Sequence, residues 1–237
     1  MKKKAIIVTG AARRVGRALS IQCAKMGYSV IGHYLSSEKE LETLSAEIKK
    51  EKVPFYSVSG DFSKGAEGII EKCIRFPVQI SGLINNASIF EKGNFLNLSK
   101  DEYFNLLTIN TFAPLQLMND FARHVKKGFI INLLDANVFA FNKNFEIYRM
   151  SKRFLEDITL DLALLYAPDI RVNAIAPGAV LPSKFTGKKG PWKKLAPLKT
   201  GGNIDDLSLA LRYAIENKSI TGQILFVDGG LHLRSKI

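Results

Sequence analysis

Tyr148 and Lys152 stand four residues apart in a stretch of helical periodicity, so both project from one face near the start of a helix. A lysine ammonium near a phenol favours the phenolate and draws the tyrosine towards a pKa that suits a general acid. Spacing alone fits a surface pair equally well, because Tyr-x-x-x-Lys is short and tolerant. Near the start of the chain, VTGAARRVGRA spans residues 8 to 18. Gly10 and Gly16 permit a tight turn there, whose backbone N–H groups and helix end face a phosphate. Arg14 occupies the place where such turns usually carry a further glycine, which asks for a second use of its charge.

The stretch His33-Tyr34-Leu35-Ser36-Ser37 has no acidic residue to take both ribose hydroxyls of NAD. An acid would repel a 2′-phosphate, so its absence, with the hydroxyls of Ser36 and Ser37 and the nearby Arg14, points to NADPH. Asp61 is placed to hold an adenine edge, and Asn86, Ala87 and Ser88 supply small groups beside a cofactor. Pro177-Gly178 lets main chain approach a carboxamide. Each of these also suits an ordinary turn, and their recurrence after successive apolar runs is the stronger signal.

Those runs define the elements that must position the site. Strands are predicted at Ala5–Val8, Ser29–His33, Phe55–Ser59, Gly82–Asn85, Phe129–Leu133, Ile170–Ile175 and Ile224–Val227. Helices are predicted at Gly16–Met26, Ser37–Lys50, Glu67–Arg75, Tyr148–Tyr166 and Asp205–Glu216. A further long helix opens with a Ser99/Glu102 capping box and runs towards His124, disturbed at Pro114. This alternation predicts an α/β Rossmann-type, doubly wound parallel sheet of about seven strands in one domain spanning 1–237, with right-handed crossovers. Ligands on such sheets bind beyond the carboxyl ends of the strands, and every candidate residue follows a predicted strand.

Lys and Arg number 34 against 22 Asp and Glu, a net charge of +12. Much of the excess is local: Ile170 to Ile204 has no acidic residue, while Arg171, Lys184, Lys188, Lys189, Lys193, Lys194 and Lys199 fall within it. A solvated loop is the simpler reading of that run, and an anion-binding substrate loop around 181–202 the alternative. No helix carries a basic stripe with interleaved aromatics, so nucleic acid is not the expected partner. No apolar run approaches the length of a membrane span and no secretory signal is recognisable. Cys23 and Cys73 form no metal-binding or disulfide pattern, and a cytoplasmic setting without a metal is expected.

Taken together, Thr9-Gly10 with Gly16, Asp61, Asn85-Asn86-Ala87, Asn110, Tyr148 with Lys152, Pro177-Gly178 and Val227-Asp228-Gly229-Gly230 resemble the short-chain dehydrogenase/reductase family over nearly the whole chain. The resemblance implies that Asn110 anchors a water in a proton relay behind Lys152. It extends the cofactor contacts to Val15, Phe62, Ser88 and Val180, has Tyr148 and Lys152 touch the cofactor too, and implies a homotetramer. Two departures narrow it. Asp135 stands where the family usually has serine, and Arg14 where it usually has glycine. Both occur in the pteridine reductase branch, which is also similar at His33-Tyr34 with Ser37 and at Asn86-Ala87-Ser88 followed by Phe90. Parasite enzymes of that branch carry arginine where Ser36 stands. A dihydropterin or dihydrofolate substrate is therefore expected, held by Arg14, Ser88, Phe90, Asp135 and Tyr148. Phe90 would stack on its flat ring. Arg14 would reach from the cofactor phosphates to the ring's electron-rich edge. A carbonyl reductase acting on a 3-oxoacyl thioester or small ketone is the alternative.

Overall fold

The computed structural model describes residues 2–93, 95–97, 99–136, 144–182 and 195–236. The basic residues Lys184, Lys188, Lys189, Lys193 and Lys194, with Trp192, lie outside the described residues.

Seven strands build one parallel sheet: β1 (Lys4–Val8), β2 (Ser29–Tyr34), β3 (Phe55–Ser59), β4 (Gln79–Asn85), β5 (Gly128–Leu133), β6 (Ile170–Pro177) and β7 (Ile224–Val227). Their spatial order is β3-β2-β1-β4-β5-β6-β7. The chain winds outwards in both directions from β1, so the order reverses between β1 and β4. Val8 pairs with Gly32 on one side and Ile84 on the other, bringing three strand ends level at that point.

Alternation along each strand divides its side chains between two cores. Ala5 and Ile7, with Leu83 and Ile130, face α5 (Ala113–His124) and α6 (Glu146–Leu165). Ile6, Val8, Ile84 and Ile131 face α1 (Arg14–Lys25), α2 (Glu38–Lys50) and α7 (Ile204–Glu216). Helical spacing supplies the matching stripes, Leu41, Leu44 and Ile48 on α2 and Leu207, Leu211 and Ala214 on α7. Each fully buried Leu or Ile contributes about 1.5–3 kcal/mol by leaving water.

Three elements differ from the sequence pattern for local reasons. The helix expected from Glu67 shrinks to α3 (Ile69–Cys73), because Gly68 before it is left-handed at φ +74°. Strand β4 begins at Gln79 and runs through Gly82, where a Cβ would lie 2.3 Å from the Phe129 ring. The long helix starts at the capping box as α4 (Lys100–Leu107) and then opens into a π turn (Thr108–Phe112) before α5. The disturbance thus precedes Pro114, which sits in the first turn of α5 where its missing N–H costs nothing. Among the described residues no helix is long and apolar enough to cross a membrane.

Behind the site a buried polar chain crosses the sheet. Asn85 Nδ2 donates to Asn132 Oδ1 at 2.8 Å, Asn132 Nδ2 to Thr159 Oγ1 at 2.8 Å, and Thr159 Oγ1 to Leu155 O at 2.6 Å. It locks β4, β5 and α6 in one register. Replacing its middle member, Asn132→Ala, strands the Asn85 amide and should lower stability by about 2–4 kcal/mol in urea unfolding. An unchanged midpoint would show that the chain adds nothing to the fold.

Candidate active site

The phosphate turn is built by close approach. Gly10 takes φ +62°, and a Cβ on Gly16 would lie 2.1 Å from the Gly10 carbonyl oxygen. Thr9 Oγ1 accepts the backbone N–H groups of both Asn86 and Ala87 at 2.9 Å, while Asn86 Nδ2 donates to Thr9 O at 2.8 Å. Arg13 caps α1 without a side-chain bond, so the helix's first amides, including Val15 and Gly16, face outward. An uncapped helix start over a glycine floor fits a pyrophosphate.

Around that turn, His33 is buried while Ser36 is exposed and Ser37 half-buried at the uncapped start of α2. Tyr34 packs partly into the core. Asp61 Oδ1 accepts from Ser63 N and Oγ, which holds its carboxyl below the usual range, and Phe62 is buried beneath it. Arg13, which the motif reading passed over, pairs with Glu40 at 2.5 Å across the mouth of α2. Arg17 pairs with Glu47 at 2.8 Å.

Arg14 has φ +52°, the left-handed conformation that favours glycine. The backbone therefore keeps the shape of the usual glycine turn, at a cost of about 1–2 kcal/mol, while the side chain leaves it. Its Nη2 donates to Pro182 O at 2.8 Å, on the strand-six loop that also holds Gly178 and the buried Val180. Gly178 lacks room for a Cβ, which would lie 2.6 Å from Gly201 O, so the two ends of the 178–201 segment meet there.

At the reacting end, Tyr148 Oη donates to Asp135 Oδ2 at 3.0 Å, joining the end of β5 to the third residue of α6. Lys152 is buried one turn on, and its Nζ donates to Leu133 O at 2.8 Å. The charge balance corrects the expectation from spacing. Burial first, then the Asp135 charge and hydrogen bond, push the Tyr148 phenol well above its ordinary range. Burial pulls Lys152 down to about 8, against the opposing attraction of Asp135.

Asn110 lies fully buried in the π turn. Its Oδ1 accepts from Ser88 Oγ at 3.0 Å and Ile89 N at 2.9 Å, and its Nδ2 donates to Ile89 O at 2.9 Å and Ser151 Oγ at 3.2 Å. It thus fastens the loop after β4 to α6, with Ser151 as a partner that no motif announced. Phe90 stacks on Phe145 at 4.4 Å and meets the Tyr148 ring edge-on at 4.6 Å. Buried Glu146 accepts the Phe95 N–H at 2.8 Å, and Gly93 bridges to Phe145, so the loop carrying Phe90 is tied to the start of α6. Phe145 and Glu146 carried no sequence signal, since their partners lie about 50 residues away.

The chain matches the short chain dehydrogenase family over residues 4–194 and belongs to that family of oxidoreductases. An uncharacterized oxidoreductase of Thermotoga maritima is 28% identical, with 96% of each chain covered. A 3-oxoacyl-[acyl-carrier-protein] reductase of Staphylococcus epidermidis is 27% identical, covering 97% of this chain and 99% of the relative. Among solved structures, FolM alternative dihydrofolate reductase 1 from Brucella canis, complexed with NADP, is 31% identical with a TM-score of 0.90, covering 97% of this chain and 94% of that one.

Lys152 makes a testable contribution to stability. Its pKa falls from 10.5 in an open chain to about 8 here, so between these values the unfolded chain holds more protons and stability rises with pH. The difference in unfolding free energy, wild type minus Lys152→Met, should climb across that window. A difference independent of pH there would show that Lys152 titrates normally.

Proposed function

We propose that the protein is an NADPH-dependent reductase of dihydropterins, of the dihydrobiopterin or dihydromonapterin type, with dihydrofolate as a further candidate. The observation that carries this reading is the Tyr148–Asp135 hydrogen bond at 3.0 Å. It sets a carboxylate, rather than a hydrogen-bond donor, beside the phenol that moves the proton. A ketone oxygen gaining negative charge there would be repelled. A pteridine instead offers ring N–H groups that a carboxylate accepts, and a ring nitrogen that needs a proton when its neighbouring carbon is reduced. The structure of the relative complexed with NADP adds support.

A bound NADPH would supply a hydride from its nicotinamide. The turn Gly10–Gly16 with Val15 would hold its pyrophosphate, Asp61 and Phe62 its adenine, and Ser36, Ser37 and Arg13 its 2′-phosphate. Asn86, Ala87, Ser88, Pro177, Gly178 and Val180 would line the nicotinamide half. Asp135 orients the ring by accepting its N–H groups. Tyr148, kept protonated by burial and by Asp135, passes its proton to the ring nitrogen, and Lys152 stabilises the phenolate that results while binding the ribose. Phe90, one face stacked on Phe145, would offer its other face to the heterocycle beside Tyr148, and Arg14, bonded to Pro182 O, would steady the loop after β6 beside the substrate. A homotetramer is the assembly expected, and exposed Phe112 in the π turn with Phe154, Leu164 and Leu165 on α6 offers apolar surface for association.

A second reading, reduction of a 3-oxoacyl thioester, is favoured by the relative from Staphylococcus epidermidis. Loss of NADPH absorbance with dihydrobiopterin, dihydromonapterin, dihydrofolate and an acetoacetyl thioester separates the two. Turnover should appear on a pterin and not on the thioester, and the reverse pattern overturns the proposal. Tyr148→Phe should lower kcat by about 100-fold or more while NADPH still binds. Near-normal turnover in that variant would refute the proton path.

For the cofactor, Arg13→Ala should weaken NADPH binding by about tenfold through loss of one charge-assisted contact, with NADH affinity unchanged. Equal losses for both nucleotides would remove Arg13 from the 2′-phosphate site.

A further inference from the structure

His33 is a buried titratable side chain to which the reaction gives no role, and both its ring nitrogens are engaged. Nε2 lies 3.0 Å from Gly60 O, an acceptor, so that nitrogen carries the proton. Nδ1 then has a lone pair, and the Gly10 N–H points at it from 3.4 Å. The ring lies flat on Phe62, with centroids 4.0 Å apart and planes within 1°. The backbone repeats the connection: Ala11 N donates to His33 O at 2.9 Å, and Gly60 N to Tyr34 O at 3.0 Å. Burial holds the imidazole pKa down at about 4, in keeping with a neutral ring.

One imidazole therefore touches both loops that would embrace the adenosine half of the cofactor. On one side is the phosphate turn at its first glycine, and on the other the Gly60-Asp61-Phe62 segment. Because Gly10 and Ala11 spend their amides on residue 33, the amides left to face a phosphate are those at the start of α1. We propose that His33 is a positioning residue of the cofactor site, which locks the phosphate turn to the adenine loop through a single neutral tautomer. This rests on reading the two loops as the nucleotide site.

Nitrogen NMR of histidine-labelled protein bound to NADPH tests the tautomer directly. The proton should reside on Nε2, and a proton on Nδ1 would place two donors face to face and overturn the proposal. Calorimetric titration with NADPH and with adenosine 2′,5′-bisphosphate tests the consequence. His33→Ala, at temperatures where circular dichroism shows it folded, should weaken both by about tenfold or more. His33→Asn, which can still accept from Gly10, and His33→Gln, which can still donate towards Gly60, should each recover part of the loss. Wild-type affinity in His33→Ala, or a loss that neither conservative variant eases, overturns it. If wild type binds neither nucleotide, the cofactor reading itself fails and this proposal falls with it. Should His33→Ala not fold, the NMR result decides.

Discussion

The site hangs on a hydroxyl. Thr9 Oγ1 takes two backbone N–H groups from the loop after β4 while its own backbone directly follows β1, and Asn86 returns the connection to Thr9 O. These bonds close the gap where the strand order reverses, which is where a parallel sheet cannot satisfy its own backbone at the strand ends. Everything on the cofactor side builds outward from this cross-link. Gly16 must lack a side chain because Gly10 O and Asn86 Nδ2 already occupy the space. On the other side, the same loop continues through Ser88 and Ile89 to Asn110, and so to α6.

The electrostatics of the reacting end run against the rest of the molecule. A chain of net charge +12 sets a carboxylate and a phenol together at the end of β5 and buries the Lys152 cation beside them. Burial disfavours the charged forms of Tyr148 and Lys152, so Tyr148 keeps its proton and Lys152 is close to giving one up. A group that holds its proton until a stronger base arrives beside it is suited to delivery on demand. Lys152 meanwhile gives one of its three donors to Leu133 O, which ties the ammonium to the end of the strand that leads to Asp135.

Much of this was legible in the chain because it depends on local repetition. Strand β3 and strand β7 fall where apolar runs predict them, and the Ser99/Glu102 capping box forms as read. Tyr148, Lys152 and Asp135 come together because a helix and the strand before it leave few alternatives at that spacing. What was hidden depends on contacts between distant segments. The direction of the Tyr148 pKa follows from burial, which no spacing encodes. Glu146 looks like an ordinary acid in the first turn of a helix until Phe95 arrives beneath it. Arg14 reads as a cation in a glycine's place, whereas the structure shows a glycine's backbone with a cation attached. The π turn left no mark, since the residues within it continue the apolar pattern on both sides.

That π turn has a consequence for how such a chain can change. A wide turn spends one more residue than the α turn it replaces, yet leaves the helices flanking it in phase. Leu106 before it and Leu117 after it are both buried. The turn also sets Asn110 and Thr111 against Ser151, so excising a position between Thr108 and Phe112 would break the tie between the loop after β4 and α6. The irregular turn is the joint between the two halves of the site, and a regular helix in its place would leave them unconnected.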